Sequence, residues 1–158
     1  MTRVDLLALV RAIEGDLAQA RAHRSLALAF EDRLDEPAAQ TVVAASLHHY
    51  YTAIEAIAER TLRVFGQTLP HAERWHRELL EEASWELPGV RPAVFGAAAT
   101  EALQELLKFR HFFRHAYAVA WRADKLRTNL ALLGAGHRAI EADLEALLAM
   151  LRASATAP

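Results

Sequence analysis

The amino-acid sequence predicts an all-α protein, an antiparallel up-and-down bundle of about five helices. Alanine, leucine, glutamate and arginine dominate the chain of 158 residues, which contains only 6 glycines and 5 prolines, and this composition favours helices. No segment alternates apolar and polar residues as a half-buried strand does. The few glycines and prolines divide the chain into long amphipathic pieces, which must pack together to bury their apolar faces.

The predicted helices span residues 2–30, 37–65, 69–85, 92–120 and 124–152. Thr2 and Asp5 resemble a capping box at the start of the first helix. Pro37 suits the first turn of the second helix, and Gly66 is a good residue to end it. The clearest loop covers residues 87–92. With no internal repeat and no linker, residues 1–152 are expected to form one domain, followed by a frayed tail at 153–158.

Composition and charge exclude several classes of protein. The chain has no cysteine, so it forms no disulfide and no thiolate metal site, which fits a reducing, cytoplasmic location. We expect no signal peptide and no membrane association, because no charge-free run reaches about 18 apolar residues. The net charge of -2 argues against a general nucleic-acid binder, and DNA is not an expected partner.

One segment is basic on this acidic background. Residues 106–127 contain six basic residues and one acidic residue, a charge of +5, so the rest of the chain carries -7. Such a patch attracts phosphate locally even in an acidic protein. The six basic residues are Lys108, Arg110, Arg114, Arg122, Lys125 and Arg127.

The predicted fourth helix, residues 92–120 and labelled α4, carries a strip of polar side chains. At about 100° per residue, five polar side chains fall within about 160° of one another. Phe109, Phe112 and Phe113 fall on the opposite, core-facing side. We call the five polar residues the α4 strip: Arg110, His111, Arg114, His115 and Tyr117.

The α4 strip suits RNA cleavage without a metal. Histidine serves as base or acid near neutral pH, and arginine holds phosphate through paired hydrogen bonds. His111 and His115 also have the i, i+4 spacing of helical metal ligands, but neighbouring arginines repel a cation, so no metal is expected. One strip resembles half a site, which is a physical reason to expect a homodimer.

Simpler interpretations exist for each residue. Arg110 and Arg114 fit ordinary surface arginines, and Tyr117 fits an interface tyrosine. On the second helix, His49 and Tyr50 are candidates to line the cleft that the strips of two subunits would form. Three other histidines are expected at the surface: His71, His76 and His137.

At this point the sequence resembles a known family. Arg110, His115 and Tyr117 match the R-x4-H-x-Y motif of the HepT toxins, which belong to the HEPN superfamily, and His111 fills the polar position after the arginine. The resemblance extends through residues 49–55, 75–80, 87–92 and 109–117, in the same order as in HepT-like proteins.

The resemblance implies a function. HepT-like proteins are dimeric helical ribonucleases that act as toxins of toxin-antitoxin pairs and cut RNA (transfer RNA or messenger RNA) without a cofactor. By position, Arg110 and His115 would be catalytic with His111 in support, and Arg114 and Lys108 would bind RNA phosphate. The antitoxin, an MNT-type nucleotidyltransferase, would silence the toxin by transferring AMP to Tyr117.

An alternative is a non-catalytic HEPN-type binding subunit. In that case the α4 strip would dock a nucleotide or a nucleotidyltransferase partner and would cut nothing. The net acidity of the chain favours this alternative, because it weakens nonspecific RNA binding.

Overall fold

The computed structural model of the chain describes residues 2–68, 75–116 and 120–156. Five α-helices form the described structure, as the sequence predicts, and the described residues include no β-strand. A short 3-10 turn, Glu31–Arg33, connects the first two helices. The helices are α1 (Arg3–Ala29), α2 (Pro37–Val64), α3 (Trp75–Ala83), α4 (Ala97–His115) and α5 (Ala123–Thr156).

The helix ends follow local chemistry. At the start of α1, the Thr2 hydroxyl accepts a hydrogen bond from the Asp5 amide, and the Asp5 carboxylate accepts one from the Thr2 amide. This reciprocal pair is the predicted capping box. Pro37 is the first residue of α2, and Gly66 follows its end with a φ of 74°. That left-handed conformation is strained for residues with a Cβ, so glycine suits it.

Contacts between side chains show that neighbouring long helices run antiparallel. Along α1, Asp16 contacts Arg60 of α2, and the later His23 contacts the earlier His49. Between α4 and α5, Gly96 faces Asp143, and the later Ala102 faces the earlier Gly136. In both pairs the partner's number falls as the first number rises. The same holds between α1 and α5, where Glu14 contacts Arg152 and Arg21 contacts Glu141. Thus α1 and α4 point one way, and α2 and α5 the other.

One continuous core holds these helices together. It contains residues from all five, and the short α3 packs on α2 and α4. Burial of a large apolar side chain contributes about 1.5–3 kcal/mol. The largest fully buried side chains are Tyr50, Tyr51, Phe95, Ile13, Leu17, Leu34, Leu47, Ile54, Ile57, Leu62, Leu79 and Leu80.

A buried arginine fixes the segment before α4. The guanidinium of Arg91 donates to the carbonyl oxygens of Glu82, Trp85 and Pro92 and to Gln67 Oε1. These contacts occupy carbonyls at the end of α3 that have no helical partner. They also explain why α4 begins at Ala97 and not at the predicted residue 92.

The end of the chain differs from the prediction. The tail predicted to fray from residue 153 continues as helix through Thr156, because Ala155 packs into the core. Residues 157 and 158 lie outside the described part. Gly134 and Gly136 lie inside an unbroken α5. Within the described residues, no helix combines the length and apolar character needed to cross a membrane.

Candidate active site

Four of the five residues of the α4 strip lie at the carboxyl-terminal end of α4, and the structure divides them into two parts. His111, Arg114 and His115 are exposed, as is Lys108 one turn earlier. Arg110 is only 8% exposed. Tyr117 lies outside the described residues.

The aromatic side of α4 also differs from its prediction. Phe109 is buried, and Phe113 packs against the core and stacks on Trp121 with ring centroids 5.5 Å apart. Phe112, predicted to be core, is 50% exposed. An apolar ring beside exposed cations is available for contact with another molecule.

Arg110 belongs to a buried polar cluster that joins three helices. Its Nη1 lies 2.8 Å from His76 Nε2 on α3, and His76 Nδ1 lies 2.7 Å from Glu55 Oε2 on α2. Its Nη2 lies 3.6 Å from Glu55 Oε1. The guanidinium carbon is 5.8 Å from the ring centroid of Tyr51. We call Glu55, His76 and Arg110 the buried triad.

Burial shifts the protonation of the triad. Burial first, and the Arg110 charge second, lower the pKa of His76 to about 4. Burial raises the pKa of Glu55, and Arg110 opposes that rise. His76 is therefore neutral at physiological pH, where a charged imidazole would be disfavoured by both effects.

The sequence did not identify two members of the triad. His76 was predicted to lie at the surface, but it is 4% exposed. Glu55 is also 4% exposed, and its position gave a signal: it follows Tyr51 and precedes Ala58 and Leu62 on the apolar stripe of α2. A carboxylate on such a stripe needs a buried partner.

His115 is held by the backbone of its own helix. Its Nδ1 lies 2.8 Å from the carbonyl oxygen of His111. A carbonyl only accepts, so Nδ1 carries the proton, and in the neutral ring Nε2 carries the lone pair. This tautomer leaves His115 able to take a proton from a bound group.

His111 connects the exposed strip to the buried triad. Its ring lies edge-on to His76, with centroids 5.9 Å apart. Partial burial lowers the pKa of His111, and the Arg110 and His115 charges act in the same direction. His111 is thus biased towards its neutral form.

The histidines and tyrosine of α2 have separate environments. His48 stacks on Phe113 at 4.5 Å, and burial and the Arg110 charge lower its pKa to about 4. His49 is exposed.

Tyr50, a candidate to line the cleft, is instead fully buried, with its hydroxyl 3.0 Å from Nδ1 of His137. His137 is 9% exposed, so its predicted surface position is also wrong; His71 lies outside the described residues.

A cavity of about 410 Å³ opens between the end of α4 and the start of α5, and no described residue of the α4 strip lines it. Its wall combines apolar rings with cationic side chains and includes Lys108, Phe109, Phe112, Trp121, Arg122 and Lys125. Lys108 pairs with Glu105 at 2.5 Å, and Arg122 pairs with Asp124 at 2.7 Å. Over the described ranges, no group of three or more potential protein ligands is arranged to hold a metal ion.

Comparison with known proteins identifies the family. The family model described as "HepT-like protein" matches residues 42–151, which include α3, α4 and most of α2 and α5. No curated protein and no solved structure shows significant similarity to the chain. The matched segment contains the buried triad and every described residue of the α4 strip. Since it covers more than half of the 158 residues, the chain belongs to the HepT-like family, as its motif predicted.

Proposed function

We propose that the protein is a metal-independent endoribonuclease and the toxin of a cytoplasmic toxin-antitoxin pair. The observation that carries this proposal is the exposed end of α4. There His115 is exposed and its Nδ1 bonds the backbone, so the lone pair of the neutral ring lies on Nε2, and the exposed Arg114 is its neighbour in a chain of the HepT-like family. A neutral imidazole and fixed cations are what RNA cleavage without a metal requires.

The reaction proceeds by internal attack. Nε2 of His115 takes the proton of a ribose 2′-hydroxyl, and the 2′-oxygen bonds to the adjacent phosphorus. The bond from phosphorus to the 5′-oxygen breaks, and an acid returns a proton to that oxygen. Arg110 stabilises the charge that develops on the phosphate, whereas Arg114 and Lys108 hold flanking phosphates. The product carries a 2′,3′-cyclic phosphate.

Two chains complete the site. One strip supplies a base, His115, and the acid comes from His111 or from a histidine of the partner subunit. The half-exposed Phe112 and the cavity that it lines between α4 and α5 support a dimer, because a second copy would cover this apolar surface. Sedimentation should therefore find a homodimer, and Phe112→Glu should weaken it.

Regulation follows from the family motif. Tyr117 is the residue that an MNT-type nucleotidyltransferase antitoxin would modify with AMP. The added phosphate would compete with RNA for Arg114, because both are anions seeking the same cation.

The test compares RNA cleavage in the presence of a chelator by wild type, Arg110→Ala and His115→Ala. The mass of each protein is measured first, so that a modified and silenced Tyr117 is recognised. Arg11→Ala, which removes an exposed arginine from α1, is the control. We expect losses of about 10²-fold or more for the two site variants and no loss for the control. Activity that survives both site substitutions would exclude the proposal.

A non-catalytic binding subunit is the second candidate. The net charge of -2 favours it, since it reduces nonspecific affinity for RNA. This candidate predicts that nucleotide or nucleotidyltransferase binding requires Arg110, and that RNA stays intact at every protein concentration.

A further inference from the structure

We propose that Glu55 and His76 are positioning residues, which hold the guanidinium of Arg110 in the orientation that its role in the α4 strip requires. The proposal rests on the proposed function of Arg110. It is carried by the contacts of the buried triad: 2.8 Å from Arg110 to His76, 2.7 Å from His76 to Glu55, and 3.6 Å from Arg110 to Glu55.

The direction of the hydrogen bonds is fixed by chemistry. A guanidinium only donates, so Nε2 of His76 must accept from Arg110 and carries no proton. The proton of the neutral ring then lies on Nδ1, which donates to Glu55. The result is a directed chain from Arg110 through His76 to the Glu55 carboxylate, with a single tautomer at its centre.

Neutral His76 supplies the hydrogen-bonded link between the two opposite charges of the triad. The positive guanidinium and the negative carboxylate are both at least 92% buried, and neutral His76 separates them on one side. Removing His76 leaves the pair only its 3.6 Å contact. The guanidinium is then free to rotate towards a new partner, and its orientation is lost.

Stability alone explains the triad poorly. Replacing buried ion pairs by well-packed apolar residues is often neutral or stabilising, because desolvation offsets the attraction. Apolar packing is available here, since Leu79, Leu80 and Ile54 are fully buried on the same helices. A fixed orientation is what the polar solution adds, and catalytic groups require it.

Arg110 also keeps hydrogen-bonding capacity for a ligand. Its Nε has no partner among the described residues. One of its N–H groups binds His76, and the other contact with protein is the longer one to Glu55. The guanidinium therefore keeps N–H donors that the triad does not use.

The variants are chosen to separate orientation from folding. His76→Leu removes both hydrogen bonds. His76→Gln keeps an acceptor for Arg110 and a donor for Glu55. His137→Leu is the matched control, since His137 is another buried histidine with one close partner, Tyr50, outside the strip. Circular dichroism and Tm report folding for each variant.

We expect His76→Leu to lower kcat about 10- to 100-fold in folded protein, because small displacements of reacting groups have effects of that size. His76→Gln should stay within about threefold of wild type, because it restores the acceptor and donor. His137→Leu should lower Tm and leave kcat unchanged. A His76→Leu protein with lowered Tm but wild-type kcat would overturn the proposal.

A double-mutant cycle tests whether His76 acts through Arg110. The variant Arg110→Ala/His76→Leu should be no slower than Arg110→Ala alone, whereas additive losses would show that His76 acts independently. If the wild type cuts no RNA, the proposed function fails. The same cycle is then measured in the Kd for a single-stranded RNA, where coupling supports positioning and additivity contradicts it.

A spectroscopic readout does not depend on activity. Nitrogen-15 NMR of His76 should show a protonated Nδ1 and an unprotonated Nε2, and Arg110→Ala should disturb this pattern. The opposite tautomer, or a pattern that is insensitive to Arg110→Ala, would overturn the proposal even in an inactive protein.

Discussion

Gly136 allows α4 and α5 to approach closely, and replacing it should separate them. A Cβ built on Gly136 would lie 2.3 Å from the Cβ of Ala102 on α4. Carbon atoms in contact are about 3.5–4.0 Å apart, so a methyl group at residue 136 must push the helices apart by more than about 1 Å. Gly134, on the same helix, has open space around it.

The two glycines therefore form a matched pair. Alanine gains about 1 kcal/mol of helix propensity over glycine at either position. Overpacking a core costs about 1–3 kcal/mol, and only Gly136→Ala incurs that cost. Gly134→Ala should stabilise by about 1 kcal/mol, and the free energies of unfolding of the two variants should differ by about 1–3 kcal/mol.

Urea unfolding followed by far-ultraviolet circular dichroism, at one fixed protein concentration, measures this difference. The double variant Gly136→Ala/Ala102→Gly removes the opposing methyl group and should recover the overpacking cost, apart from the propensity lost at residue 102. Equal stabilisation by Gly134→Ala and Gly136→Ala, or strictly additive effects in the double variant, would show that a methyl group at residue 136 does not overpack against Ala102.

Three further predictions concern stability. The pKa of His76 falls from its ordinary 6.5 to about 4 on folding. Between these two pH values, the unfolded chain therefore binds more protons than the folded chain does. Stability should fall by at most about 3 kcal/mol as pH drops through this range, and His76→Gln should flatten the profile of urea midpoints. Tyr50→Phe leaves buried Nδ1 of His137 without its partner and should cost about 1–3 kcal/mol in urea unfolding; no change would contradict the assigned hydrogen bond. Arg21→Ala removes only exposed ion pairs, so the free energy of unfolding measured with urea should fall by less than about 1 kcal/mol. A larger loss would show that these ion pairs contribute more than exposed pairs usually do.

Most of the fold could be predicted from local signals. The capping box at Thr2, the proline at residue 37 and the glycine at residue 66 define helix ends through contacts with near neighbours in the chain. The start of α4 could not be predicted in the same way. It depends on Arg91, whose partners Gln67 and Glu82 lie far from it in sequence.

The candidate site was predicted only in part, for a related reason. The helical projection of α4 assumes one face towards solvent and one towards the core. In the structure α4 packs against α2, α3 and α5, so Arg110 is enclosed while Phe112, on the opposite side, is half exposed. Tertiary packing, which periodicity does not report, decides these two positions.

The partners of Arg110 illustrate the limit of motif reading. The motif identifies Arg110 and His115 because they are close in sequence. Glu55 and His76 lie 55 and 34 residues before Arg110, and only the packing of α2 and α3 on α4 brings them together.

We propose that the α4 strip cuts RNA through a ribose 2′-hydroxyl. Mass analysis of the ends produced from a short RNA, alongside the same oligonucleotide with 2′-deoxyriboses, tests this step. RNA should yield 2′,3′-cyclic phosphate ends, the deoxy oligonucleotide should stay intact, and His115→Ala should remove all products. Cleavage of the deoxy oligonucleotide, or products that persist with His115→Ala, would contradict the proposal.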